Sequence, residues 1–596
     1  MISASDSLRR HRSPLRSAIL FGAFIAFLCA SAYALGWTSR SSAPPDSLDQ
    51  LANDFWSWRA RYQPFSSDDI PRMERPTGRR DWSAAAIAAQ RAALVEFENR
   101  WHQLDASSGP VSRQVDYRLM GSALARVRWE LDVNRRWQRD PSFYLDQSVG
   151  AVLEALLPPL PFDAARSREI VARMEQVPEI LGQGKENLHS VRPFAQLAIN
   201  LLANIRPQLL HVQRELTPLL AADGSSDAPD LRSRFQFSTE KAIVALESYR
   251  AWLEEQLTAM PAESSVGRAN YEFFLHNVAL LPYSPEQLLE LSRQEWNRAV
   301  SFEQYEKQRN QGVPELKLAA TQQEEIANFE RGELAIRKFM EERGILSVPA
   351  DIPHYTARPT PPYLGSLPDF VELDDFTGPS RLADNAVRWI DPPSPNLGFF
   401  WLATAKDVRP EIVHEGVPGH YFQMSLSWRN EDPIRRHYYD SGANEGIGFY
   451  AEEMMLQAGL FDDSPHSREI IYNFMRLRAL RVEADVDLAL GRFTLAQAAD
   501  YLAQHVPMDK QTAGQEAAFF STTPGQAISY QIGKIQILGL LADARLAQGD
   551  KFNLRAFHDY LWKNGNVPIA LLRWEYLGDR SDLDRLAISR HRSRPR

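Results

Sequence analysis

The sequence predicts a mostly α protein, one large helical body carrying a small irregular, β-containing insert. Three observations carry that expectation. From Ser47 to about Met340, apolar residues recur at i, i+3, i+4 and i+7, the spacing of helices that bury one face. From Leu346 to Arg409 this period vanishes, and proline and aromatic residues accumulate. After Arg409 the helical period returns and holds to about Leu577.

Taken in order, residues 1–34 read as a targeting segment. RRHRSPLR is a charged start, AILFGAFIAFLCASAYA an apolar run, and Ala32-Tyr33-Ala34 a small-residue cleavage site. Ala18–Trp37 is also about 20 residues long, enough to span a bilayer uncleaved. A signal peptide and a membrane anchor therefore both stand, and either exports the body to the periplasm or another extracytoplasmic face. Residues 35–46 form a linker, and 47–580 the helical domain. Within it WSAAAIAAQRAALVEFENRWHQL, REIVARMEQVPEILGQGKENL and PFAQLAINLLANIRPQLLHVQREL each show the helical period, with Pro opening or closing segments. AADGSSDAPD (Ala221–Asp230) reads as a surface loop. The insert, about 346–409, contains SVPADIPHYTARPTPPYLGSLPDF and DPPSPNLGFFWLAT, with short β-like pieces. It suits a cleft wall or a plain connection. Residues 581–596, ending SRHRSRPR, read as a flexible basic tail.

The chain has 596 residues, 24% of them charged and 44% hydrophobic, and a formal charge of -9. Residues 1–34 carry four Arg and one Asp, so the body is more acidic than the total. That excludes a nucleic-acid binder, which needs a basic face. The single cysteine, Cys29, lies in the targeting segment. The body thus has no disulfide and no Cys-ligated metal, and any metal site must be built from His, Asp and Glu.

One stretch offers such a set. VHEGVPGHYFQ (Val413–Gln423) begins like the zinc-peptidase motif H-E-x-x-H, but its histidines, His414 and His420, are six apart. On a regular helix that spacing turns them about 120° away from each other. Pro418 clashes with the carbonyl four residues back, that of His414, and Gly419 admits unusual backbone angles. Two readings follow: a distorted helix that turns both imidazoles onto one ion, or a helix end with two ordinary histidines. The first requires the backbone between Val417 and His420 to depart from α-helix.

SGANEGIGFYAEEMM (Ser441–Met455) supplies Glu445 and Glu452, seven apart and on one helix face. Two histidines, a glutamate and an open position make the ligand set of catalytic zinc. Glu415 would then be the general base on a bound water. Glu452 would hold the other nitrogen of a ligand histidine. The plainer reading of Glu452 and Glu453 is a solvated acidic face. TTPGQAISYQIGKIQIL (Thr522–Leu538) carries Gln526 and Tyr530. A tyrosine there would hydrogen-bond a carbonyl oxygen as it becomes an oxyanion, or be a core tyrosine with one hydrogen bond. Arg476, Arg478 and Arg481 read best as surface ion-pair residues. Arg481 and Gln526 are the candidate substrate-binding residues.

HEGVPGH (His414–His420), EGIGFYAE (Glu445–Glu452) and PGQAISYQIG (Pro524–Gly533), in this order, resemble the motifs of domain-of-unknown-function family 885, a bacterial, metallopeptidase-like group. Looser similarity runs from about Leu48 to Leu577. The resemblance implies a single helical metallopeptidase-like body with a deep channel. It carries over His414, His420 and Glu445 as ligands of one Zn2+ or another divalent metal, Glu415 as base and Tyr530 as carbonyl polariser. Two positions depart from the pattern: Ile447 where the family has Trp, expected to reshape a pocket wall, and Ala489 near an expected histidine. The function so implied is zinc-dependent hydrolysis of peptide bonds in short peptides, with the membrane reached only through the N-terminal segment. A metal-dependent hydrolase of a non-peptide amide or ester, and a silent envelope binding protein of the same fold, are the alternatives.

Overall fold

Most of the protein is helix folded over a main apolar core and two smaller apolar clusters, as a computed structural model of the chain describes for residues 47–592, apart from 66–72, 106–108, 223 and 366–372. The targeting segment and the linker at 35–46 lie outside the described residues. Among those described, no helix is long and apolar enough to cross a membrane.

The helices start where the sequence supplies caps. Ser83 accepts a hydrogen bond from the N–H of Ala86, and Ser284 with Gln287 and Thr494 with Gln497 form reciprocal capping boxes. Their apolar stripes then pair them. Ala164–Asn187 packs along Ala228–Gln256, Pro285–Arg309 along Pro465–Ala489, and Ser441–Ala458 along Ile528–Gln548. Pro178 lies inside the first of these helices rather than ending it.

The insert folds as a three-stranded sheet in the order β1 (Tyr355–Pro359), β3 (Ala386–Ile390), β2 (Asp374–Asp375). β3 pairs parallel to β1 and antiparallel to β2, and all five of its residues are buried. Arg388 in β3 bonds Asp374 (2.5 Å) and Glu411 (2.7 Å), and Glu411 immediately precedes the turn that carries His414. Tyr355 in β1 stacks on Tyr421, just after His420, with ring centres 6.1 Å apart. The insert therefore backs the histidine turn and holds it in place.

The C-terminus differs from expectation. Ser581–Arg592 is a helix rather than a flexible tail. Leu586 is buried in the main core, and Asp582 sits 3.3 Å from Arg573. The basic residues concealed this, because one apolar anchor and one ion pair suffice to dock a short helix.

Candidate metal centre

The six-residue gap between the histidines is resolved by the backbone. Ile412–Gly416 winds as a π-helix, and the N–H of Val417 reaches back five residues to the carbonyl of Ile412 (2.7 Å). Val417 is extended, the Val417–Pro418 peptide is cis, and a new helix, His420–Ser427, starts at the second histidine. Gly419 passes so close to His414 that a Cβ there would lie 1.7 Å from its carbonyl oxygen. Trp562 pins the turn by donating its indole N–H to the carbonyl of Pro418 (2.6 Å). The expected departure from α-helix is present, and it brings the two imidazoles to 4.8 Å between ring centres, at 81°.

Glu445 reaches both rings from the Ser441–Ala458 helix. Its Oε2 lies 3.1 Å from His420 Nε2 and 3.5 Å from His414 Nε2. The Glu415 carboxylate is 3.9 Å from His414 Nε2 and 4.0 Å from His420 Nε2. The Glu445 side chain is only 4% exposed and that of Glu415 21%, so Glu415 alone of the four has access to solvent. Glu452, two turns after Glu445, bonds His414 Nδ1 at 2.6 Å, which leaves Nε2 facing Glu445. Arg478 in turn lies 3.4 Å from Glu452.

Space for the rings comes from a residue that sequence reasoning passed over. A Cβ on Gly448, one turn after Glu445, would stand 2.9 Å from His420 Cε1 and 3.1 Å from His414 Cε1. Gly446 faces the neighbouring helix instead, where its own Cβ would meet Gly533 at 2.7 Å. That close crossing sets Tyr530 beside the centre, its ring 6.1 Å from that of His414 and nearly parallel (13°). The start of the Tyr530 segment is moored by Asp485, which accepts from the N–H groups of Gly525 and Ala527 and from the Tyr271 hydroxyl, each at 2.9 Å.

Several expectations are corrected. Arg478 and Arg481 are buried, not surface residues. Arg481 forms a two-pronged pair with Glu516 (2.6 and 2.7 Å), and its guanidinium lies 4.6 Å from the centre of the Tyr530 ring. Arg476, half-buried, pairs with Glu303 at 3.2 Å. Glu453 is no solvated residue either: it is buried against Arg298 (2.5 Å) and Lys534 (2.8 Å). Ile447 and Ala489 both sit buried in apolar clusters. Gln526 is buried, its amide oxygen accepting from the Ser441 hydroxyl (2.6 Å), and it lines a separate cavity rather than the centre.

The charges of the cluster act on one another. Burial alone would lower the pKa of His414, yet Glu445, Glu452 and Glu415 raise it to about 10. Burial opposes ionisation of Glu445, but His420 and His414 hold it below the usual carboxylate range. Glu452 is held low against its burial by Arg478 and His414. The three carboxylates thus favour positive charge at the two imidazoles between them. Two histidine nitrogens and a carboxylate oxygen, with the His414 ring steered by Glu452, are donors that zinc accepts. The residues fit a divalent metal.

Fold and site define the class: a mostly α protein with a buried histidine–glutamate centre suited to a metal. The chain belongs to the family described as bacterial protein of unknown function (DUF885), whose model matches residues 76–340 and 376–575. No curated protein matches it. Two solved structures are similar in fold. One, described as a candidate lipoprotein of unknown function from Shewanella oneidensis, has a TM-score of 0.69 at 17% identity, covering 89% of this chain and 100% of its own. The other, a candidate lipoprotein from Colwellia psychrerythraea, has a TM-score of 0.71 at 17% identity, covering 91% and 100%.

Proposed function

We propose that this protein is an exported, zinc-dependent hydrolase of peptide bonds in short peptides. The observation that supports this most is the convergence of His414 Nε2, His420 Nε2 and Glu445 Oε2, with the partly exposed carboxylate of Glu415 about 4 Å away. His414, His420 and Glu445 would hold the ion. A divalent metal there supplies Lewis acidity, which polarises a carbonyl and acidifies water. Glu415 takes the proton of the attacking water and delivers it to the leaving amine, so that one peptide bond and one water give one acid and one amine. Tyr530 donates its O–H to the oxygen that turns anionic. Glu452 keeps His414 in the tautomer that leaves Nε2 free. An envelope location accords with the N-terminal charged and apolar run, and with the description of both solved structures as candidate lipoproteins.

The deciding experiment measures metal content with and without chelator, and hydrolysis of a mixed peptide library by wild type and Glu415→Ala. About one divalent ion per chain and a loss on the order of 10²- to 10⁴-fold in the variant are expected, the range for a general base. A metal-free protein, or a variant as active as wild type, would overturn the reading.

A further inference from the structure

Next to the centre, and not lined by its ligands, is a cavity of about 170 Å³. It shares the first turns of the same two chain segments. Ser441 lines it four residues before Glu445, and Gln526 four residues before Tyr530. Its wall is aromatic, with Trp82, Trp129, Trp137 and Phe274 among the lining side chains. A cavity of about 150 Å³ accommodates benzene, so this one takes a single aromatic or bulky apolar group.

The polar atoms of that wall that lack a partner are of one kind. Trp82 Nε1, Gln90 Nε2, Arg126 Nη2 and Gln526 Nε2 are buried and have no hydrogen-bond partner among the described residues. All are donors, and the residues of Trp82, Gln90 and Gln526 are each less than 8% exposed. An unpaired buried donor is costly, so four in one cavity mark a place for an acceptor.

Charge narrows the acceptor further. Of the three arginines in the wall, Arg59 is neutralised by Glu130 (2.6 Å) and Arg136 by Asp140 (2.8 Å) and Asp146 (3.1 Å). Arg126 makes no ion pair among the described residues. It lies 5.9 Å from the Phe274 ring and 6.0 Å from the Tyr439 ring. The carboxylate that acts on it, Asp440, is spent on capping the Glu445 helix, accepting from the N–H of Ala443 (3.0 Å). An arginine without an ion pair, unpartnered donors only, and an aromatic wall describe a site for a carboxylate attached to an aromatic or bulky apolar group.

We propose that this cavity binds the C-terminal residue of the peptide substrate, with its free carboxylate on Arg126 and Gln526 and an aromatic or bulky side chain against the tryptophans. Four helical residues rise about 6 Å, and one extended residue spans about 3.5 Å. A terminus held at the level of Ser441 therefore puts the bond one or two residues before it at the level of Glu445. The protein releases one or two C-terminal residues. That the ligand is a substrate end rests on the hydrolase reading; that the cavity takes an aromatic carboxylate does not.

The test keeps the two apart by reading binding in the absence of turnover. The full chain, stripped with chelator, is titrated with N-acetyl-phenylalanine, its amide, and N-acetyl-alanine, following tryptophan fluorescence and heat. The acid is expected to bind at least tenfold more tightly than the amide and than N-acetyl-alanine, and Arg126→Met to bring the acid down to the amide. Equal binding of acid and amide by folded wild type sinks the proposal without recourse to any variant. So does an Arg126→Met protein with native circular dichroism and undiminished acid binding. Selective binding with no hydrolysis of any peptide by the metal-loaded protein upholds the cavity and removes only the hydrolase reading.

Discussion

The Ser441–Ala458 helix carries two buried charged clusters that look alike and are not. On one side Glu453, with Glu295 of a neighbouring helix, meets Arg298 and Lys534, so two carboxylates face two cations and every charge is answered. On the other side Glu445, Glu452 and Glu415 face two imidazoles; Arg478 lies 3.4 Å from Glu452, and Arg481, which also acts on Glu445, is already paired with Glu516. Both clusters cost desolvation. The first is offset within the protein and reads as structural, and the second is the donor set on which the proposed metal site rests. Counting charges within a buried cluster thus separates architecture from function where burial and acidity cannot.

Breaking the balanced cluster should give the largest effect on stability. Lys534→Met leaves carboxylates buried without their partner, and a loss of about 3 kcal/mol in denaturant unfolding is expected, with metal content per folded chain unchanged. A metal loss of the same size would mean the two clusters are one. The helix has a third polar contact, neutral rather than charged: the Tyr450 hydroxyl bonds His558 Nε2 (2.8 Å), whose Nδ1–H donates to the carbonyl of Ile345 (2.8 Å). Burial pushes the pKa of His558 down to about 4, below its unfolded value near 6.5. Its contribution is therefore whole above pH 6.5 and lost as pH falls toward 4, by up to about 3 kcal/mol. Unfolding midpoints across that window should fall less steeply in His558→Asn than in wild type. Equal slopes would remove His558 from the account.

The unbalanced cluster is probed by subtler changes. Glu452→Gln keeps the shape and removes the charge behind His414, and a 10- to 100-fold weaker metal affinity is expected, the range for such supporting residues. Zinc titration by calorimetry measures it, and an unchanged constant would make Glu452 a purely structural partner. Gly448→Ala is expected to act more gently, weakening affinity about tenfold while leaving stability within about 1 kcal/mol, because its Cβ presses on two ring edges that can shift by a few tenths of an ångström. Full-strength binding by this variant would show that the rings have more room than their contacts indicate.

How much of this was legible in the sequence follows the reach of periodicity. The helical class, the insert and the distorted turn at Pro418-Gly419 could all be read, because each is local. The pairing of Glu452 with a histidine was also legible, since seven residues restore the helix face of Glu445. Glu453, Arg478 and Arg481 misled because period 3.6 says which residues share a face and not whether another helix covers that face. A clue was present: SGANEGIGFYAEEMM has no continuous polar side, and a helix apolar all round is a buried one. The role of Gly448 depended on rings arriving from another segment, and the donors of the cavity come from residues as far apart as Trp82 and Gln526. Such meetings are properties of the fold, and no spacing announces them.

The indole bond from Trp562 to the carbonyl of Pro418 has a consequence in time. The candidate ligand residues are complete once the chain has been made to Glu445, but the brace on their turn lies 117 residues further on. A ribosome must add that further stretch before the turn can be fastened. Nascent or truncated chains that stop short of Trp562 carry the whole donor set without its clamp, so the turn is finished later than the residues that compose it.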